Sequence, residues 1–82
     1  MSNIIDAVDR FLERRFSYLL DLCIVKVNNA GILTDMEVCS VMEAHLFFYN
    51  NDDTYEVERC QYIIQLDLVN RGQNVDYYDF NE

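Results

Sequence analysis

The residues able to carry chemistry are few, and their spacing works against it. The sequence has one histidine, His45. It falls at an apolar helical position between Met42 and Tyr49, where an imidazole reads as a packed side chain rather than a general base. Cys23, Cys39 and Cys60 are 16 and 21 residues apart and form no CxxC pair. Their odd number and wide spacing match no metal motif and read as free thiols in a reducing compartment, one small buried hydrophobe per helix. Cys39 and His45 would lie about 120° apart on one helix, too far out of register to share a zinc ion. Asn51-Asp52-Asp53-Thr54 has the carboxylates of a calcium loop without its glycine or its distal bidentate glutamate, and reads as a loop and a helix cap. The two glycines, Gly31 and Gly72, cannot build a phosphate cradle. Glu56 and Glu58, two apart on a helix, point to different faces and form no carboxylate pair. Arg10, Arg14 and Arg15 make the only basic cluster. Asp6 four residues before Arg10 has the favourable order for a helical ion pair, so the cluster reads as a solvated face, with docking of an acidic or helical partner as the functional alternative. The sequence therefore predicts no enzyme, no catalytic residue, no metal and no cofactor.

Charge narrows the partners. Across 82 residues, 15 acids oppose six bases for a net charge of −9. Phosphate recognition depends on Lys and Arg, so nucleic acid and anionic membranes are poor partners. The imbalance is uneven. Residues 1–30 sum to zero, 31–49 to −3, and 50–82 to −6. The hydrophobic fraction of 51% is too high for a disordered acidic tail. No run of about 18 apolar residues is present to span a membrane, and the N-terminal stretch reads as no signal peptide, because Asp6, Asp9 and Glu13 interrupt it.

The elements that must position these residues are helical. With Leu12 as reference, Ile5, Val8, Phe16, Leu19 and Cys23 share one face, predicting a first helix over about 3–27. The β-branched run Cys23-Ile24-Val25-Lys26-Val27 is read as helix too, since no second strand-like run is available to pair with it. Asn28-Asn29-Ala30-Gly31 ends that helix. Thr34-Asp35-Met36-Glu37 has the form of a capping box and opens a second helix over about 35–49, with Val38, Met42, His45, Leu46 and Tyr49 on its apolar face. Asp53-Thr54-Tyr55-Glu56 repeats the signal for a third helix over about 54–71, closed by Gly72. The expectation is all-α: a small antiparallel three-helix bundle in one domain over residues 1–72, with an acidic, aromatic C-terminal tail over 73–82.

The third helix carries more apolar surface than one core contact uses. Val57, Cys60, Ile64 and Leu68 form one stripe. Tyr55, Tyr62, Leu66 and Val69 form a second, about 140–200° away. On the second helix Met36 and Phe47 point away from the Val38/Met42/Leu46 face. Three helices leave part of this surface for another chain or for a second copy of this one, a homodimer, unless Tyr77, Tyr78 and Phe80 of the tail fold back over it.

The opening Ser2-Asn3-Ile4-Ile5-Asp6-Ala7-Val8-Asp9-Arg10-Phe11-Leu12-Glu13-Arg14-Arg15-Phe16, the total length and the ending Asp76-Tyr77-Tyr78-Asp79-Phe80 resemble the lysis-inhibition accessory proteins of T-even bacteriophages, the cytoplasmic antiholins of the rapid-lysis genes. The resemblance runs over the whole chain but rests on no diagnostic motif, so it transfers no functional position. It implies a protein of the host cytoplasm that binds the cytosolic N-terminal part of the phage holin and helps inhibit hole formation, without itself inserting into the membrane.

Residue chemistry adds where such a partner would sit. An amphipathic segment in a groove beside the third helix would use Tyr55, Tyr62, Leu66, Val69 and Phe47 as apolar anchors. Glu58 and Asp67 would form an acidic rim that speeds encounter. The alternative reading is an acidic protein that blocks a host DNA-binding protein by nucleic-acid mimicry, which the −6 of residues 50–82 invites.

Overall fold

The computed structural model describes the backbone of residues 3–72 and the side chains of residues 6–72; the tail expected over 73–82 lies outside the described residues. Among the described residues there are three helices: α1 (Asn3–Asn28), α2 (Asp35–Asn50) and α3 (Thr54–Asn70). Their ends fall within a residue of the sequence expectation. The run Cys23–Val27 is helical, and Cys23 and Val27 both enter the core.

Local chemistry sets the boundaries. The Thr34 hydroxyl accepts the Glu37 amide, 3.1 Å, while the Glu37 carboxylate accepts the Thr34 amide, 2.8 Å, completing the capping box of α2. Asp53 caps α3 by accepting the Glu56 amide. The Glu56 carboxylate instead accepts hydrogen bonds from Ser17 and Arg59. Gly72 follows α3 with a φ of +81°, the left-handed conformation that ends many helices. After α1 the left-handed residue is Ala30, with φ 65°, rather than Gly31. Gly31 serves close approach: a Cβ there would stand 2.8 Å from the Lys26 carbonyl oxygen.

The helices run up, down and up. Phe16 of α1 lies 5.4 Å from Phe47 near the end of α2, and Lys26 pairs with Glu37 at its start, so α1 and α2 are antiparallel. Ser17, past the middle of α1, meets Glu56 in the first turn of α3, and Asn70 at the end of α3 reaches the Val27 carbonyl at the end of α1. The contacts advance together along both helices, so these two are parallel. Leu20, Cys23 and Val27 from α1, Leu33 from the loop, Val41, Ala44 and Phe48 from α2, and Cys60, Ile63 and Ile64 from α3 fill the core.

Two expected faces are corrected. On α2 the buried residues are Val41, Ala44 and Phe48, whereas Met42, Leu46 and Tyr49 are exposed. The helix is apolar nearly all round, so its periodicity has no unique phase, and packing against α1 and α3 chooses the face with the small Ala44 at its centre. On α1, Phe16, Leu19 and Cys23 face inward as expected, but Val8 is half exposed, and Leu20 and Val27 take the most buried places. The side chain of Ile5 lies outside the described residues.

Candidate partner-binding surface

α3 is fixed to its neighbours by polar contacts at both ends, and these decide which of its faces remains open. At its start, Ser17 donates to one Glu56 oxygen, 2.6 Å, and Arg59 donates to the other, 2.7 Å. Arg59 also bonds Asp21 of α1. At its end, Asp67 accepts the Leu33 amide at 2.8 Å and the Arg71 Nε at 2.6 Å, while Arg71 Nη2 donates to the Leu33 carbonyl at 2.6 Å. One carboxylate–guanidinium pair thus grips both polar groups of a single buried peptide residue. Asn70 adds hydrogen bonds to the carbonyls of Val27 and Gly31, 2.9 and 2.8 Å. Together Asp67, Asn70 and Arg71 staple the α1–α2 loop to the end of α3.

This placement corrects one role. Asp67, expected on an acidic rim, is 3% exposed and fully engaged inside the bundle. Its sequence position carried the signal: Asp67 and Glu56 stand seven and four residues from Cys60, on the stripe that builds the core. A carboxylate at such a position is buried with its partners or not at all.

The second stripe of α3 faces outward. Tyr55 is 70% exposed, and Tyr62 and Val69 are about half exposed. Leu66 is half-buried and packs against the core edge. Glu58, on the same outer surface, is exposed. The Tyr62 hydroxyl donates to Asn28 Oδ1, 2.6 Å, holding its ring along the border with α1, and the Arg59 guanidinium lies 5.9 Å from the Tyr55 ring centroid. Phe47 does not join this surface. Expected to point away from the packed face, it is half-buried, packs against the core, and lies 5.4 Å from Phe16 and 5.2 Å from Phe48, ring centre to ring centre. Met36, by contrast, points into solvent as expected.

The groove beside α3 is lined by other residues. A depression of about 470 Å³ between α2 and α3 has Val38, Cys39, Met42, Ile64 and Leu68 in its wall, with Asp35, Asp67 and Arg71 at its polar margin. It uses the first stripe of α3, so the groove and the Tyr55/Tyr62 surface flank opposite sides of that helix.

Burial tunes the remaining candidates for chemistry. Desolvation lowers the pKa of His45, whose ring stacks on Tyr49 with centroids 6.1 Å apart. Burial pushes the thiols of Cys23 and Cys60 up to about 11 and about 12, suppressing their nucleophilic thiolate forms. Cys39 departs from the expectation of three buried thiols: it is exposed at the groove. The Glu37 carboxylate is held below its ordinary pKa by the Lys26 ammonium and the Thr34 amide. Among the described residues no group of His, Cys, Asp and Glu is placed to hold a metal ion, and no helix is long and apolar enough to cross a membrane. Comparisons with protein-family models, with curated proteins and with solved structures found no match.

Proposed function

We propose that this chain is a non-catalytic regulator of phage lysis in the host cytoplasm, which binds the cytosolic N-terminal segment of the holin and so opposes hole formation. The sequence resemblance supplies the partner. The observation that carries the reading physically is the outer face of α3, where Tyr55, Tyr62 and Val69 stand open on a helix whose inner face is already packed. Aromatic side chains in such positions contribute most of the affinity of small interfaces.

The mechanism is stoichiometric. A holin opens the membrane by packing against itself. A partner that binds only its unassembled form draws the population away from the assembling state, and the shift is limited by the difference in affinity for the two states. The holin segment lies along α3 as an amphipathic helix over Tyr55, Tyr62, Leu66 and Val69, with Glu58 steering basic groups on the segment.

Nucleic-acid mimicry is the weaker reading. Glu56 and Asp67, two of the acids that gave the C-terminal part its charge, are buried and engaged within the bundle, so they present nothing to a DNA-binding protein.

Titration of the full chain with a synthetic peptide of the holin's cytosolic segment tests the proposal. Tyr62→Ala should weaken binding by about 1–3 kcal/mol. It should leave helicity by circular dichroism unchanged. Glu58→Lys should slow association and flatten its salt dependence. No binding by the parent protein, or binding that duplex DNA competes away, would overturn the assignment.

A further inference from the structure

The face of α1 turned away from the bundle carries a second apolar row, independent of the α3 surface. Val8, Phe11, Tyr18, Leu22 and Val25 are each 49–65% exposed. With Arg15 they alternate in steps of three and four residues, the spacing of a coiled-coil contact line. The row is about 26 Å long at 1.5 Å per residue. It lies opposite Leu20, Cys23 and Val27, which α1 spends on the core. Neither α2 nor α3 reaches it. We infer that this row is the contact line through which two copies of the chain pair, with their α1 helices antiparallel.

Charge selects both the occupant and the direction. In a parallel pair in register, Arg15 would face the partner's Arg15 within the apolar line, a like-charge contact. In an antiparallel pair centred between residues 16 and 17, Arg15 falls opposite the partner's Tyr18, Phe11 opposite the partner's Leu22, and Val8 opposite the partner's Val25. The Arg15 guanidinium already lies over an aromatic ring, 5.6 Å from the centroid of Phe11, and the partner's Tyr18 offers it a second. On one flank of the line Arg14 comes within about 3 Å, along the axis, of the partner's Asp21, a carboxylate that within its own chain already bonds Arg59, and two-fold symmetry makes that contact twice. On the other flank lies the half-buried Leu12. One register therefore sets apolar against apolar at Val8, Phe11, Leu22 and Val25, and Arg15 against the aromatic ring of Tyr18. Residues 1–30 carry four acids and four bases, so two α1 helices approach without the net repulsion of the more acidic C-terminal half.

Sedimentation equilibrium of the full chain should report two protomers, and Leu22→Glu should raise the dimer dissociation constant at least about tenfold with helicity retained. Direction is read by disulfide trapping in a Cys39→Ser background. Phe11→Cys chains mixed with Leu22→Cys chains should form the mixed disulfide, while Leu22→Cys alone should not link to itself. A protomer mass for the parent chain would overturn the inference, as would Leu22→Cys self-linking. So would a dimer that survives Leu22→Glu and is lost on Tyr62→Glu, or a row occupied by anionic vesicles instead of a second copy.

Discussion

Asp67 shows how much one side chain decides here. Its carboxylate joins the Leu33 amide to the Arg71 guanidinium, which returns to the Leu33 carbonyl. Removing the carboxylate leaves a buried amide unpaired and Arg71 without its counter-ion, so Asp67→Ala should cost about 2–4 kcal/mol in urea unfolding. That is a large share of the stability a domain this small has. Asp67→Asn, which keeps an acceptor for Leu33, should cost less. Ala30 offers the opposite case. Its φ of 65° strains an L residue, so Ala30→Gly should raise the unfolding free energy by about 0.5–1 kcal/mol, with the same assay as the measure. Neither role was plain in the sequence. A carboxylate three residues after Ile64 is visible on the apolar stripe, but its partner is a loop peptide 34 residues away, and long-range pairing leaves no local trace.

Helix ends and helix faces were unequally legible. The ends follow from local chemistry: the Thr34–Glu37 box, the Asp53 cap and Gly72 act within a few residues, so sequence alone places them. The core face of α3 was legible in part: Cys60 and Ile64 lie on the expected stripe and are buried, but Ile63, placed on neither expected stripe, is completely buried beside them. The core face of α2 was not. Its buried face is Val41, Ala44 and Phe48 because α1 and α3 pack there, not because those residues are more apolar than Met42 or Leu46. The same ambiguity placed Phe47 outside the core when it is part of an aromatic cluster with Phe16 and Phe48. The phase of α2 has a direct check. Phe48→Ala should cost about 3–5 kcal/mol in urea unfolding, and Leu46→Ala no more than about 0.5 kcal/mol. Equal costs would mean a different rotation of α2. For the outer stripe of α3, the exposure of Tyr55 and Tyr62 was inferable from a helix apolar on two sides; that Leu66 leans on the core edge was not.

At the scale of the whole molecule, three helices share one small core, and the thiols report whether it opens in parts or all at once. Cys23 on α1 and Cys60 on α3 lie in the same buried cluster, while Cys39 on α2 is open to solvent. Burial also raises the two core thiols to about 11 and about 12, so at pH 8 almost none of either is thiolate while the core stays closed. Under native conditions a maleimide at pH 8 should therefore label Cys39 rapidly. Cys23 and Cys60 should follow slowly and at a common rate, because a core this small has no part that can open while the rest holds. Labelling sites read by mass spectrometry decide the point: unequal rates for Cys23 and Cys60 would show that α1 or α3 detaches alone. The pH dependence follows with the same sign. A thiol whose pKa is higher folded than unfolded stabilises the fold fully below its unfolded pKa, and that contribution fades as the pH climbs toward the folded value. The urea midpoint should accordingly decline from about pH 9 upward. In the Cys23→Ala/Cys60→Ala double variant that alkaline decline should be shallower.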